Sequence, residues 1–119
     1  MKVRDIYILA AALIGDREND DVDERDMTVP YMTVLLQESL DCENSMRERD
    51  GQELLPAAPI LGLDSEVPYH DALVRGAFPY GLAWQYHQEA GNLSLASQYR
   101  NMFIDAVNRN YCFSVRKYT

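Results

Sequence analysis

A chain of 119 residues, 47% of them hydrophobic, supports one modest core and reads as a single domain over 1–119. Its net charge of −8 excludes a protein that grips nucleic-acid phosphates through clustered Lys and Arg. Cys42 and Cys112 are too few and too far apart for a disulfide framework or a paired-cysteine metal motif, and they read as buried free thiols.

No secretory signal opens the sequence, and the apolar run Ile6 to Ile14 falls short of the ~20 residues of a membrane span. The expectation is a soluble protein, intracellular when made. Residues 3–14 read as a first helix. Val3, Ile6, Tyr7, Leu9, Ala10, Leu13 and Ile14 cover more than half of its circumference, so it is buried on more than one side. That second side belongs either to the core or to a neighbouring subunit. Gly15 ends the helix.

Residues 16–26, DRENDDVDERD, carry seven acids and two bases, which accounts for most of the chain's net charge of −8. An EF-hand frame begun at Asp16 puts Asp21 where glycine is needed and Met27 where the final glutamate is needed. The stretch reads as a solvated loop feeding acids toward the positive end of the next helix. Residues 24–50 read as that helix, with Pro30 setting its regular start nearer Thr28. Val29, Met32, Leu35, Leu36 and Leu40 form its apolar stripe, continued by Cys42 and Met46. Arg47 and Arg49 sit near its negative end.

Residues 51–67 contain prolines and glycines that disfavour helix, yet Leu54, Leu55, Ile60, Leu61 and Leu63 are too apolar for a free linker. An extended segment laid across the helices is expected, with room for one short strand over Ala58–Leu61. Residues 68–110 then read as two helices joined at Gly91-Asn92 into an antiparallel hairpin. Leu73, Ala77, Tyr80, Leu82, Ala83 and Tyr86 share one side of the first. Leu95, Tyr99, Met102, Phe103, Ala106 and Asn110 share one side of the second. Asn92 or Ser94 caps the second helix. Pro79 is expected to kink the first near Gly76–Phe78, while Trp84 faces away from Leu82 toward a second surface. In the tail, Tyr111, Phe113 and Val115 alternate with Cys112, Ser114 and Arg116, the period of a strand. That tail frays, pairs with residues 54–63, or adds to another chain. The expected fold is mainly α: a small bundle of about four helices with an extended Pro-rich segment and a C-terminal strand-like tail.

Catalytic motifs are missing from the sequence. There is no HExxH, GxSxG, GxxxxGK[ST] or GxGxxG. His70 and Asp71 are adjacent and do not face each other on a helix, and His87 lies near a helix C-terminus, where its charge is favoured. No catalytic, cofactor-binding or metal-ligating residue is assigned, and a non-enzyme is expected. The stretch GLAWQYHQEAGNLSLASQYRNMFIDAV has the rhythm of a tetratricopeptide-like hairpin, but no second copy accompanies it, and a solenoid needs about three.

The layout of these pieces resembles the small helical head–tail connector (adaptor or head-completion) proteins of tailed bacteriophages and prophages. LGLDSEVPYHDALVRGAFPYGLAW and LASQYRNMFIDAVNR carry the likeness, the second with an A-x-x-Y-x-x-x-F-x-x-A cadence. The resemblance implies a structural virion protein. It would form an oligomeric ring beneath the portal in the neck, assembled in the host cytoplasm, with portal and other neck or tail proteins as partners. DNA would pass without being bound specifically, and no membrane or cofactor is implied. The acidic bias suits such a conduit. Candidate interface residues are Trp84, Tyr111, Phe113, Val115, Arg116, Lys117 and Tyr118, with residues 111–119 as an assembly arm. The rival class is a free-standing helical protein-binding module.

Overall fold

The computed structural model describes residues 1–14 and 22–112, with side chains of the second stretch described from Met27 onward. Among the described residues five helices follow in order: α1 (Val3–Ile14), α2 (Val22–Asp50), the single turn α3 (Asp71–Val74), α4 (Phe78–Glu89) and α5 (Leu93–Asn110). The architecture is mainly helical, a small bundle, and no strand occurs among the described residues. The body is a slab of 52 × 30 × 18 Å.

α4 lies at the centre and packs against α1, α2 and α5. Its buried face joins Phe78, Leu82, Ala83 and Tyr86 to Val3, Ile6 and Ala10 of α1, Met32, Leu35 and Leu36 of α2, and Phe103 and Ala106 of α5. Gly81 lets α4 lie close to α2: a Cβ there would stand 2.6 Å from a Leu35 methyl, and the Leu35 side chain would have to shift. The α4–α5 turn is a Schellman motif. Gly91 takes φ +83°, its N–H reaches the Gln88 carbonyl at 3.1 Å, and the Asn92 N–H reaches the His87 carbonyl at 2.8 Å. Asn92 occupies the N-cap position of α5 without a side-chain cap. The Tyr99 hydroxyl donates to the Leu13 carbonyl at 3.0 Å, satisfying one of the orphan acceptors at the end of α1.

Several expectations change. Residues 68–90 form two helices rather than one kinked helix. Pro79 sits in the first turn of α4, where its missing N–H costs nothing, and the break falls across Arg75–Ala77. α2 starts at Val22, so Pro30 lies inside it, its ring on the exposed side. Residues 22–26 of the acidic stretch are therefore helical, and 16–21 lie outside the described residues. Leu95 and Met102 are exposed. The buried line of α5 runs Ala96, Phe103 and Ala106 with Tyr99 beside it, and Leu95 and Met102 are each one residue ahead of that phase, rotated roughly 100° away. On α1, Leu9 is likewise exposed beside Ile8.

Residues 51–67 form no helix, as expected, and residues 68–70, expected to open the next helix, continue the extended segment; Ala58–Leu61 forms no strand. Leu55, Ala58, Leu61 and Leu63 lean on the core while Ile60 is 98% exposed. At its far end the segment pairs with the first residues of the chain. The Val3 N–H reaches Ser65 O at 3.1 Å, the Arg4 N–H reaches Leu63 O at 2.9 Å, and the Val67 N–H reaches Met1 O at 2.9 Å. An isolated antiparallel bridge, Lys2 with Glu66, completes this seam.

Candidate functional site

The sequence-predicted residues separate into two groups. Trp84 is half-buried on α4, with the Arg100 guanidinium 4.3 Å above its ring. Arg100 in turn donates from Nη1 to Glu38 Oε2 at 2.7 Å, so its charge is already paired. Trp84, Gln88, Leu93, Ser97 and Arg100 line a shallow groove of about 320 Å³ between α4 and α5. Tyr111 caps the end of α5 and is exposed. Phe113, Val115, Arg116, Lys117 and Tyr118 lie outside the described residues, as does the rest of the expected strand beyond Cys112. Trp84 and Tyr111 therefore do not share a described site. His87 is buried and stacks on Tyr99 with rings 5.4 Å apart and nearly parallel, which makes it part of the core.

Sequence reasoning missed the densest polar constellation of the described residues. Glu43 sits on the core-facing side of α2 and is fully buried. Its carboxylate accepts from Arg47 Nε at 2.7 Å, from the His70 backbone N–H at 2.7 Å and from His70 Nδ1 at 2.9 Å. On the other side of the ring, His70 Nε2 lies 2.8 Å from Asp50 Oδ2. Asp50 also accepts both N–H arms of Arg49, at 2.8 and 3.1 Å. Arg47 donates onward to the Glu53 carbonyl at 3.0 Å and to the Pro68 carbonyl. A small cleft of about 150 Å³ lies against this group, bounded by Gln52, Pro68 and Tyr69.

Local sequence explains the assembly. Glu43 and Arg47 are one helical turn apart, and Asp50 is the last residue of the same helix. His70 is the N-cap residue of α3, with extended backbone that aims its N–H back at α2. Asn44 adds a two-bond brace, its side chain accepting from the Leu55 N–H at 2.8 Å and donating to the Leu55 carbonyl at 2.9 Å. The Tyr69 hydroxyl donates to the Leu36 carbonyl at 2.7 Å, and burial, with the Glu43 charge, raises its ionisation well above the usual phenol range. The one available signal was a carboxylate at position 43, seven residues after Leu36 on the apolar side of α2 with arginine four residues later.

The chemistry of this constellation follows from its hydrogen bonds. Both ring nitrogens of His70 face carboxylates, so both must carry protons for both bonds to form. Burial opposes the charged ring, but the bonds to Asp50 and Glu43 outweigh it and the imidazole pKa moves upward. Asp50 is held down at about 2 by its bonds to Arg49 and then to His70. An imidazolium so engaged has no lone pair to offer a proton or a metal. The constellation fastens residues 51–70 to α2. Among the described residues no group of three His, Cys, Asp or Glu side chains is placed to hold a metal ion, and no helix is long and apolar enough to cross a membrane. No protein-family profile, curated protein or solved structure matches the chain.

Proposed function

We propose that the chain is a structural connector that assembles through displayed surfaces, in the manner of a phage head–tail adaptor ringed beneath a portal in the virion neck. The observation that carries this reading is the arm at residues 51–70. It is extended, fastened to α2 by Asn44, Arg47 and Glu43 and to the first residues by the Val3, Arg4 and Val67 pairs, and it presents Ile60 outward between those anchors. An arm fixed at both ends loses little conformational freedom when a neighbour covers it. Ile8 and Leu9 on α1, and Leu93, Leu95, Met102 and Ile104 on α5, supply further outward apolar side chains. The net charge of −8 suits a neck that lets DNA pass without holding it. In this reading the partners are the portal, other neck or tail proteins and further copies of the chain, met in the host cytoplasm during assembly.

The test is to mix the purified chain with the portal ring encoded in the same genome and image the product by electron microscopy. Extra density on one face of the portal is expected, weakened at least about tenfold in titration by Ile60→Asp, which places a charge in the contact. Portal rings that stay bare at micromolar chain overturn the reading. The groove beside Trp84 favours the rival, a free-standing binding module. That rival is chosen if the portal stays bare while Trp84→Ala abolishes capture of another protein.

A further inference from the structure

The end of α5 runs along one side of α2 formed by Cys42, Ser45, Met46 and Arg49, which recur every three or four residues. The Cys42 thiol donates to the Val107 carbonyl at 3.3 Å. Just past the end of α5, the Cys112 N–H donates to Ser45 Oγ at 3.0 Å, and the same hydroxyl donates to the Cys42 carbonyl at 2.6 Å. A single hydroxyl therefore links the backbones of the two cysteines. Arg49 Nη1 donates to Cys112 Sγ at 3.4 Å, one turn of α2 beyond Ser45. Both thiols are free, Cys42 buried and Cys112 partly exposed. The Cys42 thiol is pushed up to about 11, first by burial, then by Cys112 and Glu43, so the two sulfurs sense each other.

We propose that Cys42 and Cys112 are a redox pair that closes an internal disulfide on meeting a low-molecular-weight disulfide, locking the root of the C-terminal segment onto α2. The accessible sulfur reacts first. Cys112 gives its proton to solvent, and its thiolate attacks one sulfur of the oxidant RSSR. The oxidant's S–S bond breaks, one RS⁻ departs, and a mixed disulfide remains on Cys112. Cys42 then loses its proton and attacks the Cys112 sulfur, expelling the second RS⁻. Each RS⁻ takes a proton from water. Two protein thiols are oxidised and one RSSR is reduced to two RSH.

Bridged cysteines need Cα atoms roughly 4.4–6.8 Å apart. Cys42 is held within a long helix, whereas Cys112 lies two residues past the end of α5, so the movement that closes the bridge falls to Cys112. Its sulfur leaves Arg49 and swings along α2 past Ser45. The raised Cys42 thiol makes closure of the mixed disulfide faster as pH rises.

The experiment uses the full chain treated with oxidised glutathione at pH 8. Remaining thiols are then alkylated in denaturant and the intact mass is measured. The expected product is a monomer two hydrogens lighter than the reduced chain, carrying no alkyl group and restored by dithiothreitol. Peptide mapping should join the Cys42 and Cys112 peptides, and the oxidised form should melt at least about 5 °C higher. Cys112→Ser should prevent the product without unsettling the core. Cys42→Ala should instead stop the reaction at the mixed disulfide. Glutathione retained on Cys112 of the unsubstituted chain, a dimer linked through Cys112, or a Cys42 that remains fully alkylatable would each overturn the proposal.

Discussion

The slab is held together in two ways, and its two regions differ in what each asks of the sequence. Around α4 the contacts are apolar and close-packed, with Phe78, Leu82, Leu35, Ile6 and Phe103 fully or nearly fully buried. Around the C-terminal end of α2 the contacts are charged and directional, with Glu43, Arg47, His70 and Asp50 fastening an extended segment that has no secondary structure of its own. Hydrophobic burial scales with area and tolerates exchange among similar shapes, whereas a buried carboxylate depends on each of its donors. The first region should fail gradually as volume is removed. The second should fail when one partner is lost.

The sharpest way to break the apolar region is Phe103→Ala. Phe103 is 2% exposed and lies against Gly81 of α4, so truncation should cost about 4 kcal/mol in urea titrations. A loss below about 1 kcal/mol would mean that α5 does not anchor α4. In the polar region, Glu43→Ala should cost about 3 kcal/mol, because it strips Arg47 and His70 of a shared, fully buried acceptor. Hydrogen exchange should then quicken at Leu55 and His70 before it changes in α4. A uniform change across the chain would erase the distinction between the two regions.

The smallest effect is a dependence on pH. The His70 imidazole is raised above its ordinary value near 6.5, so its contribution is fully present below that pH and is lost as pH rises through the folded-state value. The groups facing the ring are Glu43 and Asp50, with Arg47 and Arg49 behind them, all on α2. Melting temperature should therefore decline from about pH 6.5 upward, and His70→Gln should flatten that slope. An unchanged slope in the variant would show that the ring does not carry the charge assigned to it.

The apolar region was largely legible from periodicity. Leu73, Ala77, Leu82 and Tyr86 are buried as their spacing requires, and Gly91 takes the left-handed conformation its position calls for. The errors there were of phase and continuity. Leu95 and Met102 are as apolar as their neighbours, but the buried line of α5 runs one residue later, through Ala96, Phe103 and Ala106, and apolarity alone does not set that phase. Pro79 was read as a kink because composition does not say whether a proline falls inside a helix or at its start. The polar region was almost illegible. His70 finds its partners 20 and 27 residues away, and no local period records such a pairing. Only the arginine one turn after Glu43 hinted at it.

The dimensions of the slab limit how copies or partners can join. An end face, 30 × 18 Å between its outermost Cα atoms, is the smallest the shape presents. A long edge, 52 × 18 Å, and a broad face, 52 × 30 Å, both run the length of the molecule. Side-by-side packing like staves, with the 52 Å axis shared along each joint, therefore gives a neighbour the most surface to cover.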